Sequence, residues 1–335
     1  MDSDGSVVTG KVQQEELKSD CAHAASLTEK WMLSHLAQEN LQDRNVPDPV
    51  LYYKWPLTLA SRGRTEEAKQ LLLWIRDQCL AENGDLVSNR SGFHLEFHSY
   101  ANLWLVLGAI QLKETELANR MLVFLQENQN DSTGGVNAAP VQDGLATEDP
   151  LSTSFMGWAA CEMGDKGSAD ACLVYLVSLV EAQTNQDVFF LRTRKDGSLI
   201  SDIGPGQDPK THVLRIGQED ECYYFLGAMC FFLARYSVVF GVTSPVSTLV
   251  DRITEILRRV GPEALGTIWA AKVGPGCVAL YAASHELGHL ELAVPVIKAV
   301  LAGQAEEGYW LKDGKPWITV SAEQCYWLTL IREAL

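Results

Sequence analysis

The chain has 335 residues, 47% of them apolar, and a formal net charge of −16 at pH 7. That length and apolar content suit a folded chain with a sizeable core and exclude a disordered one. So negative a chain is poorly suited to partners held by bulk electrostatics, whether a nucleic-acid backbone or an anionic membrane surface.

In chain order, Met1 to about Ala22 is polar and without periodicity, and is expected to be a flexible tail (1–22) ahead of a single domain spanning 23–335. It lacks the basic start and apolar run of a signal peptide, and no run of about 18 apolar residues predicts a membrane span. The eight cysteines at 21, 79, 161, 172, 222, 230, 277 and 325 form no Cys-x-x-Cys pair. They fall mostly within apolar helical patterns, so reduced buried thiols and a cytoplasmic location are expected. "AASLTEKWMLSHLAQENL" from Ala24 predicts an N-terminal helix.

Four stretches then repeat one pattern: "LASRGRTEEAKQLL" from Leu59, "GAIQLKETELANRML" from Gly108, "WAACEMGDKGSADACL" from Trp158 and "AASHELGHLELAVPVI" from Ala282. Each is an apolar helix end, a short break and a second helix. With Gly63, Lys113, Gly164 and Gly288 in one column, Ala68, Ala118, Ala169 and Ala293 fall in another. "VVFGVTSPVSTLV" is a looser copy, with Gly241 and Val246 in the two columns and Pro245 suited to a first helical position. The reading is a helical hairpin with glycine as helix stop. "SAEQCYWLTLIREAL" from Ser321 predicts a last helix that pairs with the N-terminal one. The expected fold is all-α: an α/α toroid (barrel) of six helical hairpins, in which the N-terminal helix closes the ring with the C-terminal helix. Helices before each short turn line the inside, and those after it, amphipathic as in "TEEAKQLLLWIRDQCL", form the outer layer. Only "DVFFLRTR" and "GYWLKDGKPWIT" read as short strand hairpins.

Residues 285–289 read "HELGH", which on one helix would set two imidazoles on one face for zinc. The repeat places Gly288 in the helix-stop column, so His285 is expected to end one helix and His289 to begin the next. No zinc protease is expected, and no metal or cofactor is assigned.

The long connections, about 83–98, 130–151, 184–219, 261–275 and 304–321, gather at one mouth together with the first turns of the inner helices. Binding groups are expected there. The aromatics in those turns, Tyr53, Trp55, Tyr100, Trp104, Phe155, Trp158, Tyr223, Tyr224 and Tyr326, are expected to line a cavity. Polar groups cluster beside them. "FHLEFHSY" brings His94, Glu96 and His98, and "GLATEDPLSTS" brings Glu148 and Asp149. "KTHVLRIGQEDECYY" brings His212, Arg215, Glu219, Asp220, Glu221 and Cys222, and Glu323 begins the last inner helix. A carboxylate at a helix start is often only a cap. Histidines and carboxylates around one aromatic mouth suit acid–base catalysis.

Two segments carry a resemblance. "STGGVNAAP…STSFMGWAACEMGD" resembles the Gly-Gly loop and following inner helix of terpenoid cyclases and protein prenyltransferase β-subunits. "DECYYFLGAMCFFL" is similar to the zinc-binding segment of those β-subunits, which puts Asp220 and Cys222 at ligand positions. "EQCY" departs from that family by offering Glu323 where a histidine is the third ligand. The basic cluster that holds a diphosphate there is reduced to Lys210, His212 and Arg215. The layout also resembles linalool dehydratase-isomerase, a cofactor-free α/α toroid whose catalytic thiols follow the equivalent loop. Glu148 and Asp149 stand at that place here.

From this resemblance the expected function is an enzyme acting on an apolar, isoprenoid- or polyketide-like small molecule, by cyclisation, isomerisation or dehydration. Asp149 or Glu148 would carry the proton, with His98 or His94 as partner, and Tyr100 and Tyr223 would orient the substrate. Tyr53, Trp55, Trp104, Phe155, Trp158, Tyr224, Tyr326, Arg215 and Glu323 would bind it. The alternatives are a carbohydrate-active six-hairpin enzyme (glycosidase, epimerase or lyase) and a non-catalytic binding scaffold. Association into a homo-oligomer stays open.

Overall fold

The structure is a computed structural model that describes residues 4–38, 49–87, 96–139, 147–204 and 207–335. These residues form twelve α-helices. In chain order they are α1 (Asp4–Gln38), α2 (Trp55–Ser61), α3 (Thr65–Cys79), α4 (His98–Gln111), α5 (Thr115–Glu127), α6 (Pro150–Met163), α7 (Lys166–Glu181), α8 (Tyr224–Phe240), α9 (Ser244–Leu265), α10 (Val273–Ser284), α11 (Leu287–Ala302) and α12 (Ile318–Ala334). The even-numbered helices form a closed inner ring: α2 packs on α4, α4 on α6, α6 on α8, α8 on α10, α10 on α12 and α12 back on α2. Each inner helix packs against its hairpin partner outside it, and α1 pairs with α12 to complete the sixth hairpin. The chain is an α/α toroid of six helical hairpins.

Composition explains the two layers. In α4 every residue from Ser99 to Ala109 is buried, because ring neighbours and outer helix cover all its sides. α3 buries only Ala68, Leu71, Leu72 and Ile75, a single stripe at helical spacing. Ala68, Ala118, Ala169 and Ala293 are fully buried, so the alanine column marks where outer helices press on inner ones.

The turn column holds in three hairpins and shifts in the fifth. Gly63, Lys113 and Gly164 end their inner helices with φ of 75°, 60° and 69°. The equivalent residue after α10 is His285, at φ 61° and ψ 19°, while Gly288 lies in the first turn of α11. His285 rather than Gly288 is the helix stop, since a non-glycine residue can hold the left-handed conformation at an exposed helix end. His285 and His289 therefore stand on either side of a helix break.

The tail is also corrected. α1 is already helical at Asp4, Leu17 and Cys21 are buried, and the Gln14 amide donates to the carbonyl of Leu335 at 3.3 Å. Residues 4–22 belong to the helix that closes the ring. Of the two strand expectations, "GYWLKDGKPWIT" forms the hairpin β3 (Leu311–Lys312) and β4 (Lys315–Pro316). "DVFFLRTR" instead supplies β1 (Val188–Phe190), which pairs with a distant β2 (Val213–Arg215). Among the described residues no helix is long and apolar enough to cross a membrane.

The centre of the ring is filled by rings meeting mostly edge to face. Trp104 of α4, Phe155 and Trp158 of α6, Phe231 of α8 and Tyr326 and Trp327 of α12 lie in mutual contact at centroid distances of 4.8–6.4 Å. They close the ring's interior with apolar area rather than opening it.

Candidate functional site

Immediately on this aromatic floor sits a charged layer, built by three consecutive helices of the inner ring. Lys54 precedes α2, Lys272 precedes α10, and Glu323 stands in the second turn of α12, which packs between those two. Glu323 binds Lys54 through one carboxylate oxygen and Lys272 through the other. All three are buried, at 4%, 7% and 3% exposure. The Trp327 indole N–H donates to Glu323 at 3.2 Å, and the Tyr100 hydroxyl lies 3.4 Å from both of its oxygens. Aromatic faces surround the two ammonium groups. The Lys54 Nζ lies 5.3–5.6 Å from the ring centres of Tyr53, Tyr100 and Trp104, and the Lys272 Nζ lies 5.3 Å from Tyr100 and 4.7 Å from Tyr224.

Local packing sets these positions. A Cβ on Gly227 of α8 would stand 2.2 Å from the carbonyl carbon of Lys272, so only glycine lets the start of α10 approach so closely. The Thr58 hydroxyl lies 3.0 Å from both the Lys54 and the Ala322 carbonyls, joining α2 to α12 beside Glu323.

Burial shapes the acid–base behaviour. It lowers the pKa of both lysines against the pull of Glu323, and Lys54 adds to the lowering at Lys272. Burial alone would lift the Glu323 carboxyl, but the two ammonium groups overturn that and hold it at about 2. Burial, with Glu323 second, pushes the Tyr100 hydroxyl well above its ordinary value, so it stays a donor.

A second buried cluster adjoins the first. Arg192, 1% exposed, donates to Glu96 at 3.1 Å and to the Thr211 carbonyl at 3.1 Å, and its Nη1 lies 3.6 Å from Asp149. Its guanidinium stacks on Phe97 at 4.5 Å. The Thr211 hydroxyl binds Glu96, and His212 stands 3.9 Å from Glu96. Burial, then Arg192, lowers the His212 pKa and favours its neutral form. Tyr224 joins the clusters, facing Lys272 while feeling the charges of Arg192 and Glu96.

The expected site residues divide between these places. Tyr53, Tyr100, Tyr224, Glu323 and Trp104 come together around the lysines; Phe155, Trp158 and Tyr326 lie in the aromatic floor. Trp55 faces the other way, packing on Trp31 and His35 of α1 at 5.7 Å. Asp149 caps α6, accepting from the amides of Leu151 and Ser152 at 2.7 and 2.8 Å. Glu148 accepts from Asn130, Thr133 and Thr193 at 2.5, 2.9 and 3.2 Å, which ties three loop segments together. Burial raises both carboxyls.

His98 pairs with Asp85 and meets Phe124 of α5, so it and Asp149 have separate partners. His94 lies outside the described residues. The Tyr223 hydroxyl is held among Arg215 O, Gln218 O and Gly217 N at 2.8–3.1 Å, and exposed Arg215 pairs with Glu221. Asp220 is exposed in a left-handed turn (φ 60°), Cys222 is buried, and Glu323 is taken by the lysines. Among the described residues no three His, Cys, Asp or Glu side chains are placed to hold a metal ion.

Lys54 and Lys272 are functional candidates that the sequence reading missed. The available signal was a lone lysine inside an apolar run at the start of an inner helix, in "LYYKWPLTLA" and "WAAKVGPG". Such a lysine has no solvent-facing side to use.

No family model and no curated relative matches the chain. Solved structures do match in fold. A sugar epimerase from a ruminal bacterium is 13% identical with a TM-score of 0.62, covering 91% of this chain and 99% of its own. Cellobiose 2-epimerase from Spirochaeta thermophila is 13% identical at 0.61, covering 95% and 98%. A family 76 glycoside hydrolase (mannosidase) from Bacteroides thetaiotaomicron is 12% identical at 0.59, covering 93% and 97%. The expectation of an apolar isoprenoid- or polyketide-like substrate is corrected by these likenesses: the toroids that resemble the chain are named for work on carbohydrates. The charged layer agrees, because two ammonium groups and a carboxylate are poor company for a hydrocarbon. At these identities the shared property is the six-hairpin toroid fold.

Proposed function

We propose that the chain is a carbohydrate-active enzyme of the epimerase or isomerase type, which moves a proton at the carbon next to the carbonyl of an open-chain sugar. The observation that carries this reading is the buried Lys54–Glu323–Lys272 layer. Such a reaction needs a group that accepts a proton, a group that returns one and a donor for the charge that develops on oxygen. A lysine amine with a lowered pKa serves as acceptor, the other lysine's ammonium returns the proton, and the Tyr100 hydroxyl is the donor. The named epimerases among the fold's likenesses support the same reading.

Glycoside hydrolysis fits less well, because it uses two carboxyl groups facing each other across the bond, about 5–10 Å apart. Glu323 is bound by two lysines, Asp149 by a helix start and Glu148 by three side chains. The narrower terpenoid cyclase and prenyltransferase resemblance forms no part of this reading. A cytoplasmic location does, supported by the eight free thiols.

The test is incubation of the protein in D2O with glucose, mannose, cellobiose, N-acetylglucosamine and glucuronate, read by NMR. Deuterium next to the carbonyl of at least one sugar, lost in Lys54→Met protein with a native circular dichroism spectrum, is the expected result. Release of monosaccharide without deuterium, or no change in any sugar, would overturn the reading.

A further inference from the structure

We infer that Lys272 is a nucleophile that joins its substrate covalently, forming an imine with the carbonyl carbon of an aldehyde-bearing sugar. This rests on the reading of the site as one for open-chain sugars and goes beyond proton transfer. The argument begins with charge. The buried layer contains two amines and one carboxylate, and a single carboxylate compensates a single ammonium in a low-dielectric interior. One amine is therefore favoured in its neutral form.

The surroundings decide which. Lys54 lies over three aromatic faces and its side chain is 5% exposed, while Lys272 lies over two and its side chain is 9% exposed. π faces favour the cation, so Lys54 is the better site for the ammonium and Lys272, the more open of the two, for the free amine. Burial and the neighbouring Lys54 both lower the Lys272 pKa, in agreement. A desolvated lysine beside a second cation is nucleophilic near neutral pH.

The chemistry balances with groups in the layer. The Lys272 nitrogen forms a bond to the carbonyl carbon as the C=O π pair moves to oxygen. That oxygen takes up one proton, and the attacking nitrogen loses one through Glu323. The carbinolamine gives up its second nitrogen proton and, with one further proton, its hydroxyl leaves as water, producing C=N. Reprotonated on nitrogen, the imine draws electron density from the next carbon. The proton there passes to the Glu323 carboxylate, the Lys54 ammonium returns one to that carbon, and proton transfer from Glu323 to Lys54 resets both. Water addition then releases the sugar and restores the amine. No oxidant or reductant is consumed.

Trapping tests this directly. The protein is treated with glycolaldehyde, then D-glyceraldehyde, in the presence of sodium cyanoborohydride, and the adduct is located by peptide mass spectrometry. One reduced adduct on the Lys272 peptide is expected at neutral pH, well ahead of other lysines, and absent in Lys272→Met and Lys272→Arg protein. Lys54→Met should move the pH midpoint of labelling upward. At a fixed pH below the midpoint, labelling should slow roughly tenfold for every pH unit that the midpoint rises. Labelling spread evenly over surface lysines, or a midpoint that Lys54→Met leaves in place, would overturn the inference. Trapping at Lys272 without any deuterium exchange would support this inference and sink the epimerase reading. Exchange that survives in Lys272→Arg protein would do the reverse.

Discussion

The toroid contains two charge triads of opposite pattern, side by side, one wholly buried and the other buried except for the half-buried Glu96. In Lys54–Glu323–Lys272 one anion sits between two cations; in Glu96–Arg192–Asp149 one cation sits between two anions. Fully charged, they would carry +1 and −1, and Tyr224 touches the fields of both. They are not equivalent chemically. The partners of Arg192 are committed: Asp149 to the first turn of α6, Glu96 to the Thr211 hydroxyl. That triad is a clamp that fastens the long loops to the ring. In the lysine triad burial pushes the amines toward losing protons, which is why the proposed chemistry is put there. Burial leaves the arginine triad as a set of fixed ties and lowers the pKa of the lysines in the other.

The contrast can be broken in order of expected effect. Glu323→Gln leaves two buried amines without an anion and should destabilise the fold by about 3–5 kcal/mol in urea unfolding. A loss under about 1 kcal/mol would mean the lysines are already neutral. Across pH the same variant isolates the Glu323 contribution. Its folded pKa of about 2 lies below the ordinary 4.5, so its stabilisation is complete above 4.5 and disappears as pH falls toward 2. The stability gap between wild type and Glu323→Gln, about 3 kcal/mol from that difference, should therefore close over this window.

Arg192→Met should cost less, about 2 kcal/mol, because Asp149 retains two amide donors and Glu96 keeps Thr211. A loss equal to that of Glu323→Gln would erase the distinction between clamp and reactive layer. Gly227→Ala pushes a methyl group into the Lys272 backbone and should cost about 1–3 kcal/mol while slowing adduct formation at Lys272. Unchanged labelling would show that α10 does not depend on this contact. His98→Ala should have the smallest effect, about 1 kcal/mol from the lost Asp85 bond, with deuterium exchange intact. Abolished exchange in a stable His98→Ala protein would move the chemistry back to the histidine.

Much of the fold was legible because helix packing leaves a local trace. Ala68, Ala118 and Ala169 repeat where outer helices meet inner ones, and Gly63 and Gly164 mark left-handed stops. The trace faded where chemistry permits substitutes. His285 takes the stop that Gly288 was expected to hold, and Leu17 and Cys21 are too sparse to reveal a helix held by contact with α12. The site was less legible. Glu148 and Asp149 drew attention as adjacent acids, yet a helix start and three polar side chains absorb them.

Apolar periodicity alone decided that the chain is helical, that its helices pair into hairpins, and which of them are covered on all sides. Those are properties of residues three and four apart, and they survive without knowledge of neighbours. The lysine layer required the closed ring. Lys54 and Glu323 are 269 residues apart in the chain, and each by itself is an ordinary charge near a helix start. Only the packing of α12 between α2 and α10 removes water from around them, and that desolvation is what lowers the pKa of both lysines against the pull of Glu323.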